Sequence, residues 1–310
     1  MRLPALLLVL LLPLGANAGP LNREHVAADA KWLIHLDLDA FRETQLGTLV
    51  TREFLDAQVA KVTRGLKDQF DIDFDWKQIH AVTAYGLDFK QPEKMNGVVL
   101  IQSDLDVVTA LDTILERFAG QDPQAAPFQR VQQQPFAIYS NKDGIVGGAI
   151  GKGVFALARR REQIEQARQI FTGQVASLKS AKSAAPVPAT TTGGFLTVSV
   201  LDAALAGANL PQQVRVLKDA QGAQVVAGEK ADKIFVSAAL ETKDSSVASQ
   251  IQQALQGAVA LAMLSDLKDQ DLKQLAESVK VSGRENTVML DLQVPVEMLS
   301  RKMVHKKRRG

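Results

Sequence analysis

The amino-acid sequence predicts an α+β fold made of two tandem modules of β-α-β-β-α-β type (the ferredoxin-like order), each extended by further antiparallel strands and a closing helix. Three observations predict it. Short segments of alternating apolar and polar residues are interleaved with segments whose apolar residues recur at helical spacing. The stretch QVASLKSAKSAAPVPATTTG, 174–193, is dense in Ala, Ser, Thr and Pro with no large apolar side chain after Leu178, so it cannot offset its ordering entropy and reads as a flexible linker. Beyond it, GFLTVSVLDAA at 194–204 echoes KWLIHLDLDAF at 31–41.

The first module, 19–173, begins with a strand around 31–38 in which Trp32, Ile34, Leu36 and Leu38 share the apolar face expected to meet the core. A helix over 46–70 carries Leu49, Phe54, Leu55, Val59, Val62 and Leu66 at helical spacing. Strands follow at 79–89 and at GVVLIQS, separated by a turn with Pro92 and Asn96-Gly97. Asp104 is placed to cap a helix whose apolar face is Val107, Val108, Leu111, Ile114, Leu115 and Phe118. Strands at 135–140, 144–150 and 153–158 and a helix over 160–171 complete the module. The second module, 194–304, reads as strand 194–201, a short helix at 211–219, and strands 222–228 and 233–240. A helix opened by Asp244 or Ser245 and extended to Glu277 follows, then strands 278–283 and 286–294 and a final helix after Pro295. This parallel order predicts an internal duplication.

The amino terminus, MRLPALLLVLLLPLGANAGP, has one early cation, a short apolar run broken by prolines and small residues at Ala16 and Ala18. That is the pattern of a secretory signal peptide over 1–18 and not of a membrane span, which needs about 20 apolar residues. The expected location is therefore secreted or periplasmic, with no transmembrane segment in the mature chain. With no cysteine, an exported chain has no disulfides and must rely on its core, which a hydrophobic fraction of 46% permits. A formal charge of +2 gives no global field for nucleic acid, which is not an expected partner. The basic tail 305–310, HKKRRG, reads as a solvated end.

The candidate sites each have a structural explanation. Asp39 recurs as Asp202 where a strand gives way to a helical turn, so it is expected to be an N-cap, while His35 and Asp37 are expected to be satisfied strand residues. Asp71, Asp73 and Asp75 alternate like the start of a calcium loop, but Trp76 and Val82 stand where that loop needs Gly and a bidentate acid. Asp75 with Gln78 instead reads as a capping box. GIVGGAIGKG, 144–153, has Val146 and Gly153 where a phosphate loop needs Gly and Ser or Thr, so its glycines are expected to be hairpin residues. Arg159, Arg160 and Arg161, at the handover from strand to helix, are the one possible contact for an anion or acidic partner. Four histidines, no HExxH, no GxSxG and no cysteine nucleophile give no catalytic constellation, no metal set and no cofactor site.

HLDLDAF, IHAVTAYG and VFALARRREQIEQA resemble segments of exported bacterial proteins of unknown function with a duplicated α+β module. The resemblance implies export and duplication and brings no catalytic residues. The expected function is that of an exported, non-catalytic binding or interaction protein whose partner is an unknown protein or an apolar ligand. The alternatives are a carrier of an apolar ligand held between sheet and helices, and an envelope hydrolase without a familiar motif.

Overall fold

In the computed structural model the described residues are 21–87, 97–120, 122–181, 194–201, 220–264 and 270–298. The strand-forming segments of the first half are β1 (Trp32–Asp37), β2 (Ile79–Gly86), β3 (Gly97–Ser103), β4 (Phe128–Gln132), β5 (Ile138–Asn141), β6 (Val146–Gly151) and β7 (Val154–Ala158). Those of the second half are β8 (Gly194–Val200), β9 (Ala220–Lys230), β10 (Lys233–Thr242), β11 (Lys280–Arg284) and β12 (Thr287–Pro295). They join into a single sheet of order β11-β12-β10-β9-β8-β1-β2-β3-β7-β6-β5-β4. The first strands of the two halves meet in the middle, with Leu33 opposite Ser199 and His35 opposite Thr197, and each half is laid outward from that seam.

The α+β class stands, but the ferredoxin-like order does not. A split βαβ unit sets its first strand parallel to a neighbour, whereas β1 lies between β2 and β8 and is antiparallel to both. Order along the chain does not fix which edge a strand joins; here β2 and β3 return beside β1 as a meander. β4, FQRVQ, falls where the sequence shows no alternation, and pairs with β5 at the sheet edge.

Seven helices accompany the sheet among the described residues: α1 (Leu38–Arg42), α2 (Gln45–Val50), α3 (Asp56–Phe70), α4 (Val107–Ala119), α5 (Arg161–Phe171), α6 (Ser245–Leu264) and α7 (Gln270–Ser278). The helix expected over 46–70 is present as α2 and α3 joined by a π turn at Thr51–Leu55. Asp244 caps α6 by accepting from Val247 N at 2.9 Å, as expected. The predicted helix 211–219, Asp202, the expected signal peptide 1–18 and the tail 305–310 lie outside the described residues.

Helices cover both faces of the sheet. Register and alternation place Leu33, Tyr85, Val98, Leu100, Ala156 and Val146 on one face, where they form a core with Ile164, Ala167 and Ile170 of α5. The opposite face carries Leu240 and Val288 against Ala248 and Ile251 of α6, and Ile234 and Val294 against Leu46 of α2 and Leu275 of α7. α4 lies on this second face too, because Tyr139, which points there, donates its hydroxyl to Asp112 at 2.7 Å. The expected linker begins later than its composition suggests. Leu178 is 2% exposed within the first core, its N–H donating to Val26 O at 2.8 Å, and Ser177 bridges to Ala27. One apolar side chain and a sheet-like bridge suffice to dock 174–181, while 182–193 lie outside the described residues.

Glu229, on the β9–β10 hairpin, accepts from the free N–H groups of Gln45 and Leu46, each at 2.9 Å, and so ties α2 of the first half to the second. Glu229→Ala is expected to cost about 1 kcal/mol, the usual worth of a helix cap. Urea unfolding checks this; an unchanged midpoint would mean that the tether contributes nothing.

Candidate functional site

Two aspartates expected to cap helices do something else. β1 ends at Asp37, and it is Asp37 whose carboxylate accepts from Ala40 N at 2.8 Å and caps α1. Asp106 likewise caps α4, accepting from Thr109 N at 3.0 Å and Thr109 Oγ1 at 2.7 Å. Asp39 and Asp104, each displaced by two residues from the true cap, instead flank His80 at the start of β2. Asp39 Oδ2 is 2.8 Å from His80 Nδ1. Nε2 lies 2.9 Å from Asp104 Oδ2, an ion-pair contact whose N–H direction is off the line of a hydrogen bond.

Arg42 completes the cluster. Its guanidinium pairs with Asp39, donates to Ile79 O at 2.9 Å and lies 4.8 Å over the Trp76 ring. Burial alone would lower the His80 pKa, but the contacts with Asp104 and Asp39 outweigh it and raise its titration above the ordinary histidine value. His80 and Asp104 line a cleft of about 690 Å³ at the tip of the β6–β7 hairpin, shared with His25, Lys152, Leu105, Val107, Phe155 and Phe171. The His25 ring sits 4.4 Å from the Phe171 ring, and burial pushes its pKa down against a smaller upward pull from Glu24.

The second feature is the seam of the sheet. On the Leu33 face its residues are polar and enclosed: His35, 5% exposed, bonds Thr83 Oγ1 through Nδ1 at 2.9 Å, and Gln224 Nε2 donates to Ser199 Oγ at 3.3 Å. His35 and Asp37 thus have structural partners, His35 in Thr83 of the neighbouring strand and Asp37 in the first turn of α1. On the other face the middle of the four central strands is apolar: Val82, Ala84 and Gly86; Trp32, Ile34 and Leu36; Leu196, Val198 and Val200; Ala223, Val225 and Ala227, with Glu229 at the far end of β9. Apart from Gly86 none of these is fully buried, and Ile34 is 42% exposed. The expected core face of β1 is therefore the open one, and the core takes the face with His35 and Asp37.

This apolar floor lies between α4 on one side and α2, α6 and α7 on the other. α2 and α3 with their π turn, residues 45–70, run about 39 Å at the helical rise. They pass from Leu46, packed beside Ile234, to Phe70, whose ring is 6.1 Å from that of Phe118 in α4. The segment thus bridges the two sides of the floor like a roof. Neither α3 nor α4 has a buried residue, although both carry apolar stripes, and Phe54 and Val62 are 42% and 51% exposed.

The remaining candidates are structural in position. Arg159 donates to Asp143 O at 2.7 Å, the Arg160 N–H donates to Gln163 Oε1 at 3.0 Å, and Arg161 pairs with Glu165 at 2.9 Å and contacts Gln132. Arg159 and Arg161 thus reach different partners. Lys67 lies between Asp71 and Asp73, at 2.7 and 3.1 Å, and Asp75 caps the turn Trp76–Gln78 by accepting from Lys77 N. The glycines of 144–153 belong to β6 and its hairpin, where Gly153 takes φ +70°. Among the described residues no group of three acids or histidines is placed to hold a metal, and no helix is long and apolar enough to cross a membrane.

No protein-family model matches the chain, and no curated protein matches it in sequence. Two solved structures, both of TP0453, are similar to it. Crystal form I is 8% identical, with 92% of this chain and 96% of that one covered at a TM-score of 0.45. Crystal form III is 9% identical, with 92% and 98% covered at 0.46.

Proposed function

We propose that the chain is an exported, non-catalytic binding protein whose cargo is a ligand with an apolar body, taken between the central strands and the α2–α3 roof. One observation carries this reading. The middle of a large sheet, ordinarily the best-covered part of a fold, presents an apolar floor that the described helices leave partly open. At roughly 25 cal/mol per Å² of apolar surface removed from water, covering it is favourable, and a slender apolar molecule fits a trough walled by helices better than a flat protein surface does. The polar residues that such a ligand's head would meet line the cleft beside His80.

We further infer that the two halves, 19–173 and 194–304, arose by duplication. The runs β1-β2-β3 and β8-β9-β10 leave the central seam in the same antiparallel manner, and the resemblance of HLDLDAF and IHAVTAYG to exported proteins points the same way.

Native mass spectrometry of protein purified from its own envelope, without organic extraction, is expected to show a stoichiometric apolar adduct. The stripped protein is expected to bind N-phenyl-1-naphthylamine at about one per chain. Absence of both adduct and probe binding would sink the cargo reading. The competing envelope hydrolase predicts turnover of ester, phosphate or peptide substrates that is lost in His80→Gln.

A further inference from the structure

The His80 cluster joins three parts of the chain: α1, which leads into the roof; β2, in the sheet; and the β3–α4 connection, which begins the wall. Its geometry sets a protonation requirement. A neutral imidazole has one N–H and one lone pair, and only the imidazolium offers a proton at both nitrogens. With carboxylate oxygens 2.8 and 2.9 Å from Nδ1 and Nε2, a neutral ring would set an unprotonated nitrogen beside a negative oxygen on one side.

The two carboxylates are not held equally. Asp39 is 21% exposed and fixed by Arg42, which is itself anchored on Ile79 O and Trp76. Asp104 is 68% exposed and free to turn to water. Asp104 is therefore the contact that yields. α4 behind it has no buried residue, so its first turn is held by polar contacts: the Asp106 cap, the Tyr139 hydroxyl at Asp112 and the contact of Asp104 with His80.

We propose that His80 is a proton-controlled latch: as imidazolium it bridges α1 to the entry of α4, and on losing its proton it releases Asp104 and the first turn of α4. Around the ring the charged and titratable groups are Asp39 and Arg42 from α1, Asp104 and Asp106 from the β3–α4 connection, and His25 and Lys152 in the same cleft. The two Asp39 and Asp104 contacts favour the cation, while Lys152 opposes it. The His25 pKa is displaced downward and that of His80 upward, so the two histidines separate in pH. Because the folded-state pKa of His80 is raised, the latch contributes its full stability below the ordinary histidine pKa and loses it as pH rises through the raised value. That release also opens the floor to cargo is the one step that rests on the function proposed above.

Amide hydrogen exchange of the full mature chain tests the latch without any ligand. After correction for intrinsic exchange, protection at Ala110 to Asp112 is expected to fall at least threefold between pH 5.5 and pH 8. Asp104→Asn, an exposed and near-isosteric change, is expected to abolish that pH response and to move the His80 NMR titration down while leaving His25 in place. A His80 midpoint at or below that of an unstructured peptide, or an equal pH response in Asp104→Asn, would overturn the latch. The N-phenyl-1-naphthylamine on-rate is expected to rise with pH in the wild type and not in the variant. Probe binding at neither pH overturns the cargo reading, and the exchange data still decide the latch.

Discussion

Ile34→Thr is expected to cost about 1 kcal/mol or less and to weaken N-phenyl-1-naphthylamine binding at least tenfold, whereas Leu33→Ala, one residue away, is expected to cost about 3 kcal/mol. The two side chains leave the same strand on opposite faces. Leu33 is fully buried and touches a core that includes Tyr85, Val98 and Leu201, so its truncation leaves a cavity. Ile34 is already 42% in water, and Thr keeps the β-branch that suits a strand. What Thr removes is apolar contact with anything that settles on the floor. Urea unfolding and probe titration of both variants check the pair. If Ile34→Thr proved as destabilising as Leu33→Ala, the floor would be an ordinary core and the cargo reading would fail.

That same pair shows where sequence stops being informative. The alternation of KWLIHLDL identifies β1, because period 2 is a local property of the strand. Which phase faces the core is not local. Trp32, Ile34 and Leu36 form the more apolar set, yet the core takes Leu33, His35 and Asp37, because Thr83 lies 48 residues away in the chain to satisfy His35 and Asp37 turns to cap α1. The caps fail to read for a related reason. Asp37-Leu38-Asp39 and Asp104-Leu105-Asp106 each offer two carboxylates two residues apart, and either suits an N-cap. The end of the strand chooses one, and the other is left for His80, a residue whose own segment carries no polar signature. Strands other than β4 and the Asp244 cap were legible; strand order was not, since β1 pairing with β8 joins segments more than 150 residues apart and no local pattern encodes it.

Gly47→Ala is expected to destabilise the protein by about 3 kcal/mol, although alanine is ordinarily the better helix former by about 1 kcal/mol. A Cβ at Gly47 would stand 1.8 Å from the backbone oxygen of Phe41 and 3.0 Å from Thr44 Oγ1. Neither neighbour gives way cheaply. Thr44 Oγ1 donates to Phe41 O at 2.7 Å and accepts from Gly47 N at 2.8 Å, so parting these groups breaks the corner between α1 and α2. Moving α1 instead disturbs the edge-on contact of the Phe41 and Phe195 rings, and moving α2 pulls Leu46 from Glu229 and from its pocket beside Ile234. Gly65 in α3 supplies the contrast, since a Cβ there meets nothing within 4 Å. Gly65→Ala is therefore expected to stabilise by about 0.5–1 kcal/mol through helix propensity and reduced unfolded-state entropy. Opposite signs for two Gly→Ala changes on one continuous helical segment, read by urea unfolding, would establish that the roof is pinned at its α1–α2 corner and loose along its length. Equal stabilities would mean that the corner yields freely, leaving the height of the roof over Ile34 unfixed.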